Sequence, residues 1–461
     1  MPFLLLKLCM ANNNLNIIIL AAGKGTRMKS EKLKVLHPLA GKAIIDHVLD
    51  TAKLLNPNKI IMVYGHQGEQ LKKYLEHENV VWVEQNNPQG TGHAVQLAAA
   101  HLDKNSSVLI LVGDAPLIEF DDLQKLTQYK QAVLTAEMQN PFGYGRIIKN
   151  SENQIEAIVE EKDASQQQKQ ISEINSGIIL AESENLQSWI QQIDNNNAQG
   201  EYYLTDVIGL GFKNNQPFSA VTVRDNRSIK GINDRVQLSE CETILQTKYR
   251  KHLMLSGVSM PHPKTVEIRG QLTCGQDIEI DTGVIFEGDN EIADNVSIGA
   301  YSIIKNCKLG KNTRIAPHSM LENVITKGDC DIGPFARLRP GTVIGEKAKV
   351  GNFVETKKTT IGYNSKASHL TYLGDSEIGD NVNIGAGTIT CNYDGVNKFK
   401  TIIEDDVFIG SDTQLVAPVT VGKGATIGAG TTLTKNAESG KLTLSRARQK
   451  TIDGWQKPKK Q

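Results

Sequence analysis

The sequence predicts two domains of different architecture: an α/β domain with a mainly parallel sheet, and after it a parallel β-helix of hexapeptide repeats. Three observations support this prediction. Before about residue 260, apolar runs that look like buried strands alternate with helical patterns, as in α/β domains. After that point, aliphatic residues recur six positions apart, which is the signature of a β-helix. Between the two patterns, apolar residues recur every three or four positions, the spacing of one helix face.

The strands predicted for the first domain are NIIIL, KIIMVYG, VVWVEQ and SVLILVGD, and helical patterns such as AIIDHVLDTAKLL and AVQLAAAHL lie among them. Strands separated by helices favour a parallel sheet. The changes in pattern predict a disordered extension over 1–14, the α/β domain over 15–235, a linker helix over 236–260, the β-helix over 261–440 and a basic tail over 441–461.

The hexapeptide period is longest near the carboxyl end. The aliphatic residues Ile403, Ile409, Leu415, Val421, Ile427 and Leu433 lie six apart without a gap. Each hexad predicts one short strand with an aliphatic side chain inward, and three hexads predict one triangular coil. A β-sandwich is the alternative, but it would show period-two alternation and hairpin turns. The period breaks at CNYDGVNKFK, residues 391–400, which we expect to loop out of a coil.

Composition limits the possible partners and compartment. Lys+Arg and Asp+Glu are equal at 51 each, so no global field favours nucleic acid or an anionic membrane, and we expect neither partner. The six cysteines include no CxxC pair, which indicates free thiols in the reducing cytoplasm. The run MPFLLLKLCM is too short to span a membrane. We interpret it as part of the extension, with Met10 as an alternative start and a secretory signal as the other interpretation.

The first chemical motif is LAAGKGTRM, where a predicted strand runs into Gly23 and Gly25. Unpaired backbone N–H groups at such a strand-to-helix turn bind phosphate, and glycines allow its close approach. Lys24, Arg27 and Lys34 follow and would neutralise a polyphosphate. The motif alone is weak, because it is neither GxGxxG nor GxxxxGK[ST].

A second motif, VLILVGDAPL, places Asp114 at the carboxyl end of a predicted buried strand. Binding sites of open parallel sheets lie at that edge. A carboxylate there is a candidate ligand for a hard metal ion. Alternatively, Asp114 caps the following helix.

LAAGKGTRM followed by KVLH resembles the signature of the sugar-nucleotide pyrophosphorylases. With QGTGHA, GDAPL, GYGRI, INSGI, EYYLTD, RLRPGT, HLTYLGD, NIGAGTITCNYDG and GSDTQL, the chain resembles the family of bacterial bifunctional N-acetylglucosamine-1-phosphate uridylyltransferases and glucosamine-1-phosphate acetyltransferases. The resemblance implies a Rossmann-like nucleotidyltransferase domain and a left-handed β-helix acetyltransferase domain in a homotrimer. It also implies UTP, acetyl-CoA and glucosamine-1-phosphate as substrates, and Mg²⁺.

For the first domain, the resemblance implies catalytic roles for Arg27 and Lys34 and a Mg²⁺ ion shared by Asp114 and Asn233. The residues it implies for binding UTP and the amino sugar are Leu20, Gly23, Lys24, Lys34, Gln85, Gly90, Thr91, Gly145, Glu160, Asn175, Tyr202 and Asn233. This sequence departs from the family at Leu33, where a proline is usual. A proline would fix φ and stiffen the loop, so the departure bears on the placement of Lys34.

The resemblance implies that the second domain transfers an acyl group to an amine, which attacks only when unprotonated and so needs a general base. His369 is the candidate, both from this argument and from the resemblance, with Glu355 orienting its ring; the alternative is a solvated turn histidine. The resemblance implies that the sugar phosphate is bound by Arg339, Lys357, Tyr372 and Asn383. It implies that acetyl-CoA is bound by Ala386, Asn392, Tyr393, Ser411, Ala429 and Arg446. For Arg446, a solvated charge on a frayed end is the alternative.

Two other classes of protein stay open. One is a pyrophosphorylase for another sugar or nucleotide, with a β-helix that serves only oligomerisation or regulation. HLTYLGD and the NYDG loop argue against it, because a structural prism needs neither. The other is a non-catalytic trimeric scaffold, in which the basic glycine turn and Asp114 would have no role.

Overall fold

The computed structural model describes residues 14–23, 25–65 and 67–460 of the 461-residue chain. The predicted extension over 1–14 lies outside the described residues except for Asn14, and so do Met10 and Lys24. By its internal contacts the chain divides into two units, Met1–Leu245 and Gln246–Gln461.

The first unit alternates strands and helices. Its strands are β1 (Leu15–Ala21), β2 (Pro38–Leu39), β3 (Lys42–Ala43), β4 (Lys59–Tyr64), β5 (Val81–Glu84), β6 (Ser107–Val112), β7 (Ala132–Glu137), β8 (Arg146–Lys149), β9 (Ile155–Val159), β10 (Glu173–Glu182) and β11 (Ser219–Thr222). Its helices are α1 (Ile44–Lys53), α2 (Glu69–Tyr74), α3 (Thr91–Ala99), α4 (Phe120–Leu126), α5 (Ser183–Ile190) and α6 (Asp206–Lys213), with 3₁₀ turns at Thr26–Met28, Lys34–Leu36, Gln168–Gln170 and Asn226–Ile229. Helix α7 (Arg235–Leu255) contains the point of division between the units.

The main sheet has the strand order β11-β7-β10-β6-β1-β4-β5. Strand β1 pairs in parallel with β4 and β6, β4 with β5, and β7 with β11. Strand β10 runs antiparallel to β6 and β7, and β8 and β9 extend the sheet beside it. The predicted mainly parallel α/β sheet is therefore confirmed. The carboxyl ends of β1, β4, β5 and β6 lie along one edge.

Side chains of β1 show why this sheet is covered on both faces. Ile17 and Ile19 lie in one apolar cluster with Val48 of α1, whereas Ile18 lies in a second cluster with Val95 of α3. Successive side chains of a strand point to opposite faces, so a continuous apolar run needs a helical layer on each side.

The second unit is a succession of short strands. Strand β12 (Val258–Ser259) comes first and is followed by a 3₁₀ turn at Pro263–Thr265. The strands after that turn are β13 (Glu267–Cys274), β14 (Ile278–Ile280), β15 (Ile285–Ile292), β16 (Ser297–Ile298), β17 (Ile303–Lys305), β18 (Lys308–Leu309), β19 (Arg314–Ile315), β20 (Met320–Glu322), β21 (Val324–Thr326), β22 (Asp331–Ile332), β23 (Arg337–Leu338), β24 (Thr342–Ile344), β25 (Lys349–Ile361), β26 (Lys366–Ile378), β27 (Asn383–Ile384), β28 (Ile389–Cys391), β29 (Thr401–Ile403), β30 (Phe408–Ile409), β31 (Gln414–Val416), β32 (Val419–Val421), β33 (Thr426–Ile427), β34 (Thr432–Leu433) and β35 (Leu442–Thr443).

These strands form a parallel β-helix. Arg314 pairs in parallel with Asp331, 17 positions later, and the step is 18 positions elsewhere. One coil therefore consists of three hexads, or of three hexads less one residue. Aliphatic residues of the hexad series, such as Ile403 and Ile409, are at most 4% exposed and belong to one continuous core. The β-helix predicted from the six-residue period is confirmed.

One coil is longer than the others. Asn383 pairs with Phe408, and side chains stacked at this level are 25 positions apart. The extra residues lie between β28 and β29, within the segment 391–400 that was predicted to leave the coil. The coils on either side keep their parallel pairing, so the insertion forms a loop without disturbing the core.

The coils turn at residues with left-handed backbone. In two corner columns these are mostly Asn, Asp, Gly and Lys, and Asn and Gly adopt this conformation at low cost. The N–H of Asn381, for example, donates to the Tyr363 carbonyl of the preceding coil at 2.8 Å. The first column contains Asn295, Asn312, Asp329, Lys347, Asn364, Asn381 and Asp406, and the second contains Asn306, Asn323, Gly341, Lys358 and Asp375.

The third column, which we call the aromatic corner, consists of Tyr301, His318, Phe335, Phe353 and Leu370. All five have φ between 48° and 59°, although bulky residues are rare in this region. The four rings stack at centroid distances of 5.4, 5.0 and 5.4 Å. Phe335 is 48% exposed and Phe353 is 56% exposed. This corner is therefore apolar, ordered by stacking and open on its outer side.

Candidate active sites

The glycine turn after β1 folds over Lys34. Gly25 has φ 59°, and a Cβ there would lie 2.7 Å from the Cβ of Lys34, so only glycine fits. A Cβ at Gly23 would lie 4.0 Å from Nζ of Lys34. Arg27 is exposed on the 3₁₀ turn. The carbonyl of Leu20 accepts a bond from the N–H of Gly113 at 2.9 Å, which ties the glycine turn to the end of β6.

Lys34, Asp114 and Asn233 meet at this edge although they are far apart in the sequence. The Nζ atom of Lys34 forms an ion pair with Oδ2 of Asp114 and lies 3.1 Å from Oδ1 of Asn233. Lys34 is only 9% exposed. The segment with Asn233 is held in place because the N–H of Ile232 donates to the backbone carbonyl of Asp114 at 2.8 Å.

Asp114 is not a helix cap. The next helix, α4, begins at Phe120 and follows Glu119, so the capping alternative is wrong. Asp114 and Asn233 present a carboxylate and an amide oxygen to one point, a donor set that suits a hard cation such as Mg²⁺. The ammonium of Lys34 lies at that point, so the two oxygens do hold a positive charge between them. Within the described part of the chain, no group of three or more His, Cys, Asp and Glu residues has metal-binding geometry.

The residues implied for uracil lie together at the end of β5. Nε2 of Gln85 donates to the carbonyl of Gly90 at 3.1 Å and lies 3.2 Å from Nδ1 of His93. Gly90 has φ 108° and approaches Tyr202 so closely that a Cβ would lie 2.5 Å from its carbonyl oxygen. The hydroxyl of Thr91 accepts a bond from the N–H of Leu204 at 3.2 Å. His93 was not among the predicted site residues, although it lies inside QGTGHA.

The residues implied for the amino sugar lie around Glu160. A Cβ at Gly145 would lie 3.3 Å from Oε1 of Glu160, and the Gly145 carbonyl accepts the N–H of Asn175 at 2.9 Å. Burial raises the pKa of Glu160, and the Thr205 hydroxyl, which donates to Oε1 at 3.1 Å, opposes this shift. Thr205 follows directly on EYYL and was not predicted.

In the β-helix, His369 stands exposed at the aromatic corner, next to Leu370. Its Nδ1 atom lies 2.8 Å from Oδ1 of Asn352. An amide oxygen only accepts hydrogen bonds, so this contact places the imidazole proton on Nδ1 and leaves Nε2 with a lone pair. That is the tautomer a general base at Nε2 requires.

The expected contact between Glu355 and His369 is not found within the chain. Strands β25 and β26 pair in a register that places Asn352 opposite His369 and Glu355 opposite Tyr372. The Glu355 carboxylate instead accepts a bond from Nη1 of Arg339 at 2.8 Å. The ring of His369 is therefore held by Asn352, which lies one coil, 17 positions, before it. That spacing was the sequence signal that could have found Asn352.

A cationic group follows the corner on the next face. Arg339 and Lys357 lie on successive coils beside Tyr372. The ammonium of Lys398, and then the guanidinium of Arg339, lower the pKa of Lys357. Lys398 was not among the predicted site residues, although it lies in the loop predicted from the broken period. Asn383 pairs with Lys366, on the face before the corner, so within one chain the corner separates it from the cationic group.

The small residues implied for acetyl-CoA continue the line of the aromatic corner. The carbonyl of Ala386 accepts the N–H of Asp412 at 2.7 Å, and that of Ser411 accepts the N–H of Gly430 at 2.8 Å. Nε of Arg446 donates to the carbonyl of Ala429 at 3.0 Å. Three successive coils and the tail residue Arg446 thus border one exposed strip, which has no bulky side chain at Ala386 or Ala429.

The inserted loop holds the remaining two residues. Nδ2 of Asn392 donates to Oδ2 of Asp375 at 2.5 Å, which anchors the loop to the second corner column. Tyr393 is 59% exposed, and its backbone pairs with that of Lys398 in an isolated antiparallel β-bridge. Asn392 and Tyr393 therefore lie with the cationic group and not on the strip of Ala386.

Family models match three parts of the chain. Residues 17–169 match the MobA-like NTP transferase domain, residues 268–372 match the GMPPB C-terminal domain, and residues 400–435 match the bacterial transferase hexapeptide (six repeats). Together with the fold, these matches define an enzyme with transferase activities: nucleotidyl transfer and acyl transfer in general. Among the described residues, no helix has the length and apolar character needed to cross a bilayer.

Proposed function

We propose that this protein is the bifunctional N-acetylglucosamine-1-phosphate uridylyltransferase and glucosamine-1-phosphate N-acetyltransferase. The second unit transfers acetyl from acetyl-CoA to the amine of glucosamine-1-phosphate. The first unit then transfers uridylyl from UTP to the resulting N-acetylglucosamine-1-phosphate, with release of pyrophosphate. The product is UDP-N-acetylglucosamine, and no nucleic acid or membrane takes part.

The observation that carries the proposal is the pairing of a held histidine with a cationic group at one corner of the β-helix. Asn352 fixes His369, and Arg339, Lys357 and Lys398 follow on the adjoining face. Acetylation of an amino sugar phosphate needs both parts: a base for the ammonium and cations for the phosphate. A β-helix that only joins subunits needs neither.

In the uridylyl transfer, a phosphate oxygen of the sugar attacks the α-phosphorus of UTP. The attacking oxygen is already anionic, so the rate depends on positioning and charge neutralisation more than on a protein base. Arg27 and Lys34 contribute positive charge next to the glycine turn. Gln85 and Thr91 are proposed to bind uracil, and Glu160 with Asn175 to bind the amino sugar.

Asp114 and Asn233 are the residues that would hold Mg²⁺. Their oxygens fit a hard cation, because they already converge on an ammonium. When bound, Mg²⁺ would neutralise charge on the phosphates of UTP. Lys34 and Arg27 would add further positive charge at the same phosphates.

In the acetyl transfer, Nε2 of His369 takes a proton from the sugar ammonium, and the neutral amine attacks the thioester carbonyl. The C–S bond then breaks, the imidazolium returns its proton to the leaving coenzyme A thiolate, and the new amide nitrogen releases its extra proton to solvent. The hydroxyl of Ser411 donates to the oxygen on which charge develops. Arg339 forms a fork that suits a phosphate, and Lys357 and Lys398 add point charges. Ala386 and Ala429 leave room for the coenzyme along the strip, and Arg446 meets its phosphates.

A homotrimer is part of this proposal. One β-helix offers flat faces and a shallow surface, and His369 is exposed on it. The aromatic corner beside it is half exposed at Phe335 and Phe353, and apolar surface of this kind marks contact sites. Packing of neighbouring prisms would give the acetylation site its missing walls.

A second candidate is a nucleotidyltransferase whose β-helix serves only assembly or regulation. The match of residues 268–372 to the GMPPB C-terminal domain favours it, because this family model covers Asn352, Glu355 and His369 and is not described as a transferase domain. The loop residues Asn392 and Lys398 lie outside that match.

One assay separates the candidates. Protein is supplied with glucosamine-1-phosphate, acetyl-CoA, UTP and Mg²⁺, and free coenzyme A and pyrophosphate are followed together. The proposal predicts that His369→Ala abolishes coenzyme A release yet still forms pyrophosphate from added N-acetylglucosamine-1-phosphate. Lys34→Ala should show the reverse. Parental acetylation by His369→Ala would rule out this mechanism, and pyrophosphate release without any coenzyme A release by the parent protein would favour the second candidate.

A further inference from the structure

Lys34 lies where a metal ion would bind. Its ammonium pairs with Oδ2 of Asp114 and lies 3.1 Å from Oδ1 of Asn233, and these oxygens are the donors proposed for Mg²⁺. We propose that Lys34 is a resident cation that competes with the divalent ion and moves to the nucleotide phosphates only when the ion displaces it. The inference rests on the proposed function, because it takes the metal ligands from there.

Both cations do not fit at once. Mg²⁺ sits about 2.1 Å from its oxygen ligands, so an ion bound by Asp114 and Asn233 would occupy nearly the position of Nζ. Two positive charges at such a distance also repel strongly where solvent is scarce, and Lys34 is only 9% exposed. Binding of the ion therefore requires that the lysine side chain swing away.

The structure leaves a path for that movement. A Cβ built on Gly23 would meet, within 4 Å and among the described residues, only Nζ of Lys34. The glycine thus keeps open the space between the ammonium and the proposed phosphate cradle. A lysine that leaves Asp114 enters this space, where UTP phosphates are proposed to lie.

A purely structural ion pair is the alternative, in which Lys34 fastens its loop to β6. Other contacts also hold the segment 28–37, which contains Lys34. Nε of Arg235 donates to the carbonyl of Met28 at 3.3 Å, and its Nη1 lies 3.3 Å from Nδ1 of His37. Lys34 itself begins a buried 3₁₀ turn. Since the backbone is held on both sides of Lys34, its side chain can change partner without loss of the loop.

The consequence is a coupling between metal and nucleotide. Without metal, the ammonium of Lys34 neutralises the carboxylate of Asp114. The apparent metal affinity is therefore lowered according to the fraction of molecules in which Lys34 occupies the metal position. Once the ion binds, the released ammonium favours a polyphosphate. Metal binding therefore prepares the site for UTP through Lys34.

The first test measures Mn²⁺ binding to the full chain without nucleotide, by the electron paramagnetic resonance signal of free Mn²⁺. Lys34→Met keeps the buried aliphatic volume and removes the competing charge, so we expect about tenfold tighter Mn²⁺ binding. Lys32→Met removes an exposed charge from the same loop and should leave the affinity unchanged. Asp114→Asn should lose most Mn²⁺ binding in either background.

The outcomes separate the two claims. If Lys34→Met binds Mn²⁺ no tighter than the parent while Asp114→Asn loses binding, the competition is wrong and the metal assignment stands. If Asp114→Asn binds as well as the parent, the metal assignment fails and the competition fails with it. Equal tightening in Lys32→Met would also overturn the inference, because it would show only a general charge effect.

The second test uses the unaltered protein and so does not depend on folding of a variant. Lysines are acetylated briefly with succinimidyl acetate, and labelling of each site is quantified by mass spectrometry with and without saturating Mg²⁺. We expect Mg²⁺ to increase labelling of Lys34 several-fold and to leave Lys32 unchanged. Labelling of Lys34 that is unchanged or reduced by Mg²⁺ would overturn the inference.

Discussion

Asn352 holds the imidazole of His369: its Oδ1 atom lies 2.8 Å from Nδ1 across one coil of the β-helix. Because the amide oxygen accepts, it keeps the proton on Nδ1 and Nε2 free to act as a base. We expect Asn352→Leu, which has similar size and no acceptor, to lower kcat of acetyl transfer at least about tenfold. KM should change little, and steady-state kinetics of coenzyme A release measure both.

Asn352→Asp is the matched variant, because it keeps an acceptor opposite Nδ1. It should retain much more acetyl transfer than Asn352→Leu, and both should keep parental uridylyl transfer. Equal loss in the two variants would mean that Asn352 supports the coil and does not orient the histidine.

Lys398 makes Lys357 a weaker cation at alkaline pH. Its ammonium is the largest cause of the lowered pKa of Lys357, with Arg339 next, while Asp375 acts in the opposite direction. A lysine attracts a phosphate only while protonated, and a lowered pKa means that the proton leaves at lower pH. Lys398→Met removes one positive charge from the phosphate site, so KM for glucosamine-1-phosphate should rise about fivefold near neutrality. The same substitution should raise the pKa of Lys357, so the increase of KM at alkaline pH should begin at a higher pH.

The measurement is KM for the sugar phosphate from roughly pH 8 to pH 10. Lys400→Met is the control, because Lys400 is in the same loop but pairs with Glu377. An alkaline rise at the same pH in Lys398→Met and the parent protein would contradict the prediction.

Arg235 holds both ends of the segment 28–37, which contains Lys34, through the carbonyl of Met28 and the ring of His37. We expect Arg235→Met to reduce kcat/KM for uridylyl transfer about tenfold, because a misplaced Lys34 stabilises the transition state less. Arg224→Met is the control: Arg224 pairs with Asp121 on the surface of the same unit. Uridylyl transfer unchanged in Arg235→Met, or equally reduced in Arg224→Met, would show that the loop needs no such fastening.

Asp206 should destabilise the first unit at neutral pH. Burial, followed by the charges of Asp194 and Asp163, raises its pKa from 3.8 to about 6. The folded protein therefore binds this proton more tightly than the unfolded chain, and stability falls as pH rises through the window from about 4 to about 6. We expect Asp206→Asn to stabilise the unit by about 1 kcal/mol at pH 8 and not at pH 3.

Thermal unfolding at the two pH values measures this difference. Asp103→Asn gives the opposite sign, since a hydrogen bond from Lys59 lowers the pKa of Asp103 and the variant loses a favourable charge at pH 8. A stabilisation by Asp206→Asn that is equal at both pH values would show a cause other than titration.

The β-helix was predictable because its period is enforced at every coil: each hexad must turn one aliphatic side chain inward. Contacts between coils were harder to predict. The partner of His369 depends on the number of residues in one coil, and a coil of 17 positions places Asn352 opposite it and leaves Glu355 to Arg339. Likewise, the sequence of β10 did not indicate its antiparallel direction, because a buried strand is apolar whichever way it runs.

In the first unit, the edge site was predictable because parallel strands bring their carboxyl ends together. Leu33 is a useful case. It has φ −54°, within the range that a proline ring imposes, so the backbone before Lys34 has a conformation that a proline at this position would also adopt. The ion pair between Lys34 and Asp114 was not predictable, since sequence motifs identify ligands but not which charges neutralise each other before a ligand arrives.

The corner columns restrict how the carboxyl half can change in length. Most left-handed residues, such as Asn312, Asn323 and Asn364, donate a backbone bond to the coil before them, and the side chain of Asn364 donates to its counterpart Asn381, 17 positions on. Gain or loss of one residue within a strand would turn an aliphatic side chain outward, whereas a one-residue difference at a corner is accommodated, because coils of 17 and 18 residues stack on each other. A whole coil could likewise be added or removed with all neighbouring bonds remade. Natural variation in the length of this prism should therefore come in complete coils, at corners or in loops such as 392–400, and not within strands.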